Sequence, residues 1–392
     1  MDRRELMTAS LAVALAATVA RAAPAKAASA ASYGLKRGAP DLKSVGPIAF
    51  GPAGLLFVAD PMGAKIFALD VGAGTAAKAR PIDIDKLDTR LAAFLGAAPA
   101  DIFVRDMAVQ PGSNTLFLSV MRGSGAAATP VLVKVGADGA FSQVSLKSIA
   151  FAQTDVEKAP DVADTRTSAR VVTDSREGQP MKAGGADIRL ARDPLRSVTF
   201  TDLAYVDGML LVAGASNEEF SSSFRRVAFP FGGQAQMNSL EIYHVSHNRF
   251  ETASPINTFT PYGGGKILAA YTCTPIVQFS LGDAAAGTQV KGKSVADLGT
   301  VSTPLDMVAY KAGGEDYFLV SNSSHPLMKL ARSDIDKQDA MVVQTNYGGA
   351  IRANLAHKGV GLMANLGGDY VVMMHRDEAN TLSLRSYAVE SL

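Results

Sequence analysis

Residues 45–70 read VGPIAFGPAGLLFVADPMGAKIFALD and contain three short apolar runs separated by two turns. The first run ends at Gly-Pro-Ala-Gly, the second at Asp60-Pro61 and a glycine, and the third at Asp70. Apolar runs bounded by Gly, Pro and Asp are typical of short β-strands joined by hairpins. The stretch therefore predicts one small antiparallel sheet.

The same pattern returns five more times. Repetition of one small antiparallel sheet along the chain is typical of a propeller or a related array. The first strands of the six units are predicted to begin at Pro47, Asp106, Asp202, Thr258, Asp306 and Gly361. The second strands, such as YVVMM at 370–374, are apolar on both faces, which suits a sheet covered on both sides. The sequence predicts an all-β propeller with six blades favoured, and the long interval after Asp106 leaves room for a seventh. The alternative fold is a two-sheet sandwich or two separate β domains.

Residues 50–70, FGPAGLLFVADPMGAKIFALD, resemble the six-bladed propellers of the NHL-repeat and gluconolactonase (senescence-marker-protein) superfamily. The resemblance implies this architecture over about residues 45–390. It implies no catalytic set, because the acidic and asparagine metal ligands of that superfamily match no motif here residue by residue. The chain has no tryptophan, which argues against WD-repeat propellers and tryptophan-docked quinoprotein dehydrogenases.

The first 27 residues are expected to be an export signal and not part of the fold. Arg3-Arg4 precede Leu6-Met7, and the apolar run at 11–20 is too short to span a bilayer. The pattern Arg-Arg-x-Leu-Met resembles a twin-arginine export signal, and an ordinary secretory signal is the alternative. We expect a periplasmic or secreted protein, with a lead-in segment at 28–44 and one propeller domain at 45–392. The lead-in either enters the ring or adds an outer strand to the last blade.

Composition narrows the classes of partner. Lys and Arg number 38 and Asp and Glu number 37, so no excess charge attracts nucleic acid or acidic lipid. No later segment is apolar enough to cross a membrane, and the single cysteine, Cys273, cannot form an intramolecular disulfide. The expected partner is a small polar molecule or a periplasmic protein.

Three long connections are predicted to extend one rim of the propeller. They are residues 72–104, with a short helix at 87–95, residues 151–197, which are polar, and residues 217–237. Long loops on a rigid scaffold are common binding sites.

Polar residues that break the strand pattern are predicted to gather on the same rim. Three aspartates open inner strands at equivalent positions, and the others follow second strands or lie nearby. The candidate ligand-binding residues are Asp106, Asp202, Asp306, Asn217, Glu218, Asn322, His325, Arg105, Arg122, Cys273 and His375. Converging carboxylate and amide oxygens suit a hard divalent cation such as calcium. The predicted metal ligands are Asp202, Asp306, Asn217 and Asn322.

Each candidate also has a structural interpretation. The aspartates can accept backbone N–H bonds that join blade to blade, and Asn322 can build a turn. Cys273 can be a buried small hydrophobe, a thiolate ligand or a nucleophile. His244 and His247 lie three apart, which on a strand directs them to opposite faces unless a turn intervenes.

Three functions are compatible with this pattern. The first is an exported protein that binds a small polar ligand or metal ion at the channel mouth, either on its own or as an accessory to a partner enzyme. The second is a metal-dependent hydrolase of lactone type, in which a cation activates water and an aspartate acts as general base. The third is a protein-interaction scaffold with an exposed apolar patch that includes Phe220, Phe224, Phe229 and Phe231.

Overall fold

The computed structural model describes residues 33–392 other than 184, 283 and 300. The predicted export signal at 1–27 and the first residues of the lead-in lie outside the described part. Within that part, neither of the two helices is long and apolar enough to cross a bilayer.

The described chain contains seven β-sheets, antiparallel except for one added strand, and six of them are blades. Blade 1 runs outward through Ile48–Phe50, Leu56–Asp60, Lys65–Leu69, Ile149–Asp155 and Lys36–Gly38. Blade 2 contains Ile102–Val109, Leu116–Arg122, Thr129–Val135 and Phe141–Gln143. Blade 3 contains Asp202–Val206, Met209–Ala215, Ser222–Ala228, Gln236–His244 and Arg249–Glu251, with Gln289–Lys291 added in parallel to its fourth strand.

The remaining blades follow the same plan. Blade 4 contains Ile256–Gly263, Lys266–Tyr271, Pro275–Ser280, Lys293–Asp297 and Gly348–Gly349. Blade 5 contains Pro304–Ala312, Glu315–Asn322, Met328–Ala331 and Arg352–Asn354. Blade 6 contains Val360–Leu366, Tyr370–Arg376 and Leu382–Ala388. The helices are Leu87–Leu95, as predicted, and Arg332–Lys337.

The inner strands of these six sheets contact one another in a closed ring. A separate apolar cluster fills each of the six spaces between neighbouring blades. Every blade is therefore covered on both faces, which explains why the middle of its second strand has apolar residues on both faces. The predicted all-β propeller is confirmed, and a two-layer sandwich is excluded because each sheet packs against two others.

The order of blades around the ring differs from their order in the chain. Blade 1 packs between blades 2 and 3, and blade 2 packs between blades 1 and 6. Around the ring the order is therefore 2-1-3-4-5-6. The predicted rim connection at 72–104 leads the chain from blade 1 to the far side of blade 2. Its Ala77 N–H donates to the Gly112 carbonyl in blade 2, and Ile84 then pairs with Leu384 at the outer edge of blade 6. The helix that follows packs between blades 2 and 6 before the chain enters blade 2.

Three predicted boundaries need correction. The lead-in strand Lys36–Gly38 lies at the edge of blade 1, not of the last blade, because Ile149–Asp155 returns there to pair with it. The polar insertion therefore begins after Asp155. The predicted extension at 217–237 contains Ser222–Ala228, the third strand of blade 3. Its buried side chains include two serines and Arg225, so it lacks the apolar run that marks the other strands.

The rest of the polar insertion forms the seventh sheet, which we call the cap. Its strands are Thr167–Val171, Gln179–Ala183 and Ala186–Pro194. The cap lies over the end of the channel where the inner strands begin, and its residues 170–177 face the channel.

Candidate functional site

A cavity of about 260 Å³ lies between the cap and the inner strands. Its floor carries three aspartates, Asp106, Asp202 and Asp306, from blades 2, 3 and 5. These blades alternate with blades 1, 4 and 6 around the ring, so the carboxylates approach the channel axis from three sides. Residues about 100 positions apart in the chain thus share one small polar chamber.

Each floor aspartate joins two blades in the same way. One oxygen accepts the N–H of the next residue, and the other accepts an N–H from the inner strand of the neighbouring blade. The inter-blade donors are Ile48 to Asp106 at 2.7 Å, Phe259 to Asp202 at 2.7 Å and Met363 to Asp306 at 2.5 Å. The structural interpretation of these aspartates is therefore correct, and it coexists with their exposure to the cavity.

Thr258 connects two of the three carboxylates. Its hydroxyl lies 3.0 Å from an oxygen of Asp202 and 3.4 Å from one of Asp306. Among the described residues, no lysine, arginine or histidine forms an ion pair with any floor aspartate. Their negative charge is therefore balanced only by hydrogen bonds.

Burial and mutual repulsion change the acidity of the floor. Burial, with repulsion from Asp306, raises the pKa of Asp202 to about 7. Burial raises the pKa of Asp306 to about 6, and burial with repulsion from both other carboxylates raises that of Asp106 well above its usual range. Near neutral pH the floor is thus poised to take up protons or another positive charge.

The roof of the cavity is an ion-pair network within and beside the cap. Glu177 accepts bonds from Arg105 at 2.8 Å and from Arg170 at 2.9 Å. Asp174 pairs with Arg176 at 2.6 Å and with Arg376 of blade 6 at 3.0 Å. The network joins the cap to blades 2 and 6.

The roof carboxylates are held in the charged form. Burial acts to raise the pKa of Asp174, but the bonds from Arg176 and the nearby charge of Arg376 outweigh it and lower that pKa. Burial also opposes ionisation of Glu177, and the charges of Arg105 and Arg170 lower its pKa overall. The roof carboxylates are therefore paired with arginines, whereas the floor carboxyls form no ion pair.

Arg176 anchors the cap to the propeller. Its guanidinium donates to the carbonyl oxygens of Pro99, Ala100 and Ile102 at 3.0–3.2 Å. It also lies 4.3 Å from the ring centroid of Phe103, a cation–π distance. The cap is thus tied to the turn that leads into the inner strand of blade 2.

Of the predicted site residues, only the three aspartates and Arg105 line this cavity. The residues that do not are Arg122, Asn217, Glu218, Cys273, Asn322, His325 and His375. The reason is geometric: these residues follow second strands or lie at their ends, and a second strand lies about 4.8 Å further from the axis than an inner strand.

The excluded residues have other partners. Arg122 donates to the carbonyl of Leu95 at 3.2 Å, and Glu218 pairs with Lys158 at 2.6 Å. His375 lies 3.1 Å from the carbonyl of Lys358 and 3.2 Å from the Tyr387 hydroxyl. Burial lowers the pKa of both His375 and His325.

The predicted metal set of Asp202, Asp306, Asn217 and Asn322 is not assembled. Asn217 is exposed, and Asn322 is buried in a turn. The Asn322 side-chain oxygen accepts from Ser302, Ser324 and His325, and its amide donates to Pro326. The turn interpretation of Asn322 is correct, and both asparagines are removed from the ligand set.

The phenylalanines proposed for an interaction surface do not form one patch. Phe224 and Phe229 are buried, and the Phe231 ring lies 5.0 Å from that of Phe229. Phe220 alone among the four is exposed, at 44%. The buried rings fill the spaces on either side of blade 3, so this mark of a scaffold is absent for these residues.

Sequence reasoning missed the roof residues Arg170, Asp174, Arg176 and Glu177, and also Thr258 and Arg376. The polar insertion was recognised as a rim feature, but no periodic pattern singles out individual charges within it. The available signal was the density of Arg, Asp and Glu at 170–177 within the polar insertion.

Comparison with protein-family models found no match, and neither did comparison with curated proteins. Similar solved structures include a streptogramin B lyase, 10% identical, covering 90% of this chain and 97% of that chain with a TM-score of 0.39. A virginiamycin B lyase from Staphylococcus aureus is 9% identical, covering 91% and 99% with a TM-score of 0.37. A PQQ-bound aldose sugar dehydrogenase from Streptomyces coelicolor is 9% identical, covering 90% and 96% with a TM-score of 0.31. The assignment of the fold accordingly depends on the ring of sheets described above.

Proposed function

We propose that this chain is an exported binding module whose central cavity holds a small cation, or the positively charged end of a small polar ligand. The observation that carries the proposal is the floor: three half-buried carboxyls face one chamber, and their partners are N–H groups and one hydroxyl. Carboxylates that repel one another in a buried site are stabilised by a cation that replaces the missing counter-charge. Placement outside the cytoplasm is supported by the twin-arginine-like pattern at Arg3-Arg4.

The charges around the chamber favour a positive occupant. Four arginines and five carboxyls line it, and the lining is negative by one charge once all the floor carboxyls have lost their protons, the state that a bound cation favours. The arginines are already engaged by roof carboxylates or backbone carbonyls, which leaves the floor as the unsatisfied part. An anionic ligand would have to displace these pairs.

The size of the chamber limits the occupant. Pockets that enclose drug-sized molecules are about 300–1,000 Å³, and this chamber is about 260 Å³. It suits a hydrated metal ion or a molecule with few heavy atoms. We do not extend the proposal to lactone hydrolysis, because the four-ligand set on which that hypothesis depended does not form.

The test uses the mature, untagged protein and three probes: Ca²⁺, Mg²⁺ and methylammonium. Calorimetry and thermal unfolding at pH 8 and constant ionic strength should show binding of at least one, with stabilisation of about 2.7 kcal/mol at 100 times Kd. Binding should weaken at pH 5, because protons then occupy Asp202 and Asp306.

Variants locate the effect. Thr258→Val removes the hydroxyl shared by two floor carboxyls, and Asp306→Asn removes one negative charge; both should weaken binding. Asp187→Asn, in an exposed cap pair with Lys182, is the matched control and should leave binding unchanged. No binding of any probe, or equal binding by all variants, would refute the proposal.

A further inference from the structure

Outside the cavity, two histidines and the single cysteine converge on the outer rim of blades 3 and 4. A ring nitrogen of His244, a ring nitrogen of His247 and the Cys273 sulfur lie within 4.8 Å of one another. The two imidazole centroids are 3.9 Å apart. Each of the three residues carries a side chain that binds transition metals.

A local turn creates this cluster. His244 ends the fourth strand of blade 3, and Val245–His247 then forms a single 3-10 turn. Asn248 follows with φ of 53°, a left-handed conformation that asparagine tolerates, and Arg249–Glu251 returns beside the strand. The turn cancels the strand alternation that would direct the histidines to opposite faces. Cys273 reaches them from the connection between the second and third strands of blade 4.

One carboxylate fixes both imidazoles. Glu251 contacts Nδ1 of His244 with one oxygen and Nδ1 of His247 with the other, each at 2.8 Å. The nitrogen left to an ion on each ring is therefore Nε2, and on His244 an ion would replace the Ser246 and Thr274 hydroxyls, which lie 3.1 and 3.4 Å from that nitrogen. A carboxylate on the far nitrogen is the usual support of a metal-binding histidine, because it sets the tautomer and the ring orientation.

We propose that His244, His247 and Cys273 form a site for a thiophilic transition metal, Zn²⁺ or copper. Two imidazoles and one thiolate are donors that these ions prefer, whereas Ca²⁺ and Mg²⁺ prefer oxygen. A tetrahedral zinc ion holds its ligand atoms about 3.3–3.8 Å apart. The distances between the three ligand atoms therefore shorten by at most about 1.5 Å when the ion binds. His247 lies on an exposed turn and is the least enclosed of the three ligands.

Solvent reaches the cluster from the side of His247. His244 is buried and Cys273 is half-buried, whereas the His247 side chain is 46% exposed. Three protein ligands with one open position are typical of zinc sites that bind water or an exogenous ligand. The alternative is a nucleophilic cysteine activated by a single histidine. That alternative does not account for the second imidazole, which Glu251 also orients.

The experiment uses untagged mature protein, with Zn²⁺, Cu⁺ and the spectroscopic probe Co²⁺ added separately. One equivalent of metal should bind, Co²⁺ should give a thiolate charge-transfer band, and Zn²⁺ should protect Cys273 from iodoacetamide. Because the chain has a single cysteine, intact mass reads that protection directly.

Variants separate a metal site from a structural cluster. Cys273→Ser and His247→Ala should each abolish the band, and Glu251→Gln should weaken affinity about 10–100-fold. His357→Ala, a histidine elsewhere on the rim, is the matched control and should bind normally. Metal-free thermal unfolding checks that each variant is folded.

Three outcomes would overturn the inference. The first is no stoichiometric binding by the folded wild type, and the second is unchanged binding by Cys273→Ser. The third is alkylation of Cys273 that metal does not slow, which would indicate a reactive thiol instead. Failure here leaves the cavity proposal intact, because the two sites share no residue.

Discussion

The chamber at the channel mouth and the histidine–cysteine cluster on the rim are two polar sites built in opposite ways. The floor of the chamber collects carboxyls from the inner strands of three blades, each with the same pair of backbone hydrogen bonds. The rim cluster comes from one turn and one hairpin connection of adjacent blades. The first depends on closure of the whole ring, whereas the second depends on the contact between two blades.

The two sites also differ in what their side chains do without a ligand. The floor aspartates bond the backbone of neighbouring blades, so they stabilise the ring whether or not anything occupies the chamber. Cys273 makes no disulfide, and His247 is partly exposed. Removing a polar group that stabilises the fold should lower the free energy of unfolding of the ligand-free protein. Removing a group that only binds a ligand should not, and this difference distinguishes the two sites.

The largest expected effect is the loss of a floor aspartate. Asp202→Ala leaves the N–H groups of Leu203 and Phe259 without their acceptor and should lower the free energy of unfolding by on the order of 3 kcal/mol. Cys273→Ser, measured without metal, should cost less than about 1 kcal/mol. Chemical denaturation measures both, and equal losses would contradict the distinction between the two sites.

The second effect is a pH dependence that belongs to the floor. The pKa of Asp202 is about 7 in the folded protein, whereas an ordinary aspartate, as in the unfolded chain, has a pKa of 3.8. Folding therefore favours the neutral form of this carboxyl. The stability it contributes is fully present below pH 4 and is lost as pH rises towards 7.

Between pH 5 and 8, wild type should lose on the order of 2–3 kcal/mol relative to Asp202→Asn, which carries no charge at any pH. Thermal unfolding of both proteins in chelator-treated buffer measures the difference and cancels the titration of groups that do not interact with Asp202. Parallel profiles would show that the carboxyl is not perturbed by its neighbours.

The smallest effect concerns Asn217, which the sequence assigned to a metal site. Its side chain is exposed beside the cap, so Asn217→Ala should change the free energy of unfolding by less than about 0.5 kcal/mol. It should also leave cation and transition-metal binding unaltered. A clear loss of either affinity in titration calorimetry would return this residue to a site.

Much of the fold is readable from local patterns. The six predicted first strands correspond to the six inner strands, with starts that differ by up to four residues, as at Ile102 against the predicted Asp106, and the helix at 87–95 has the predicted bounds. The third strand of blade 3 was missed because Ser222, Ser223 and Arg225 are buried there without an apolar run. The exchanged order of blades 1 and 2 was missed because the sequence of a long connection does not show on which side of a blade the next blade is placed.

The site was predicted only in part. Asp106, Asp202 and Asp306 were recognised because they recur at one position of a repeat, and repetition places equivalent residues around one axis. The roof arginines recur nowhere, and their role follows from where the cap folds back. His244 and His247 were judged by strand alternation, which a single turn of Val245–His247 reverses.

The amino-acid sequence by itself determined that this chain forms small sheets needing cover on both faces, and that three aspartates occupy equivalent positions in them. Only the tertiary structure decided which blades are neighbours, which charges close the chamber and which donors meet on the rim. The physical reason is that strand formation depends on residues a few positions apart, whereas those contacts join segments whose separation in the chain has no bearing on their distance in space.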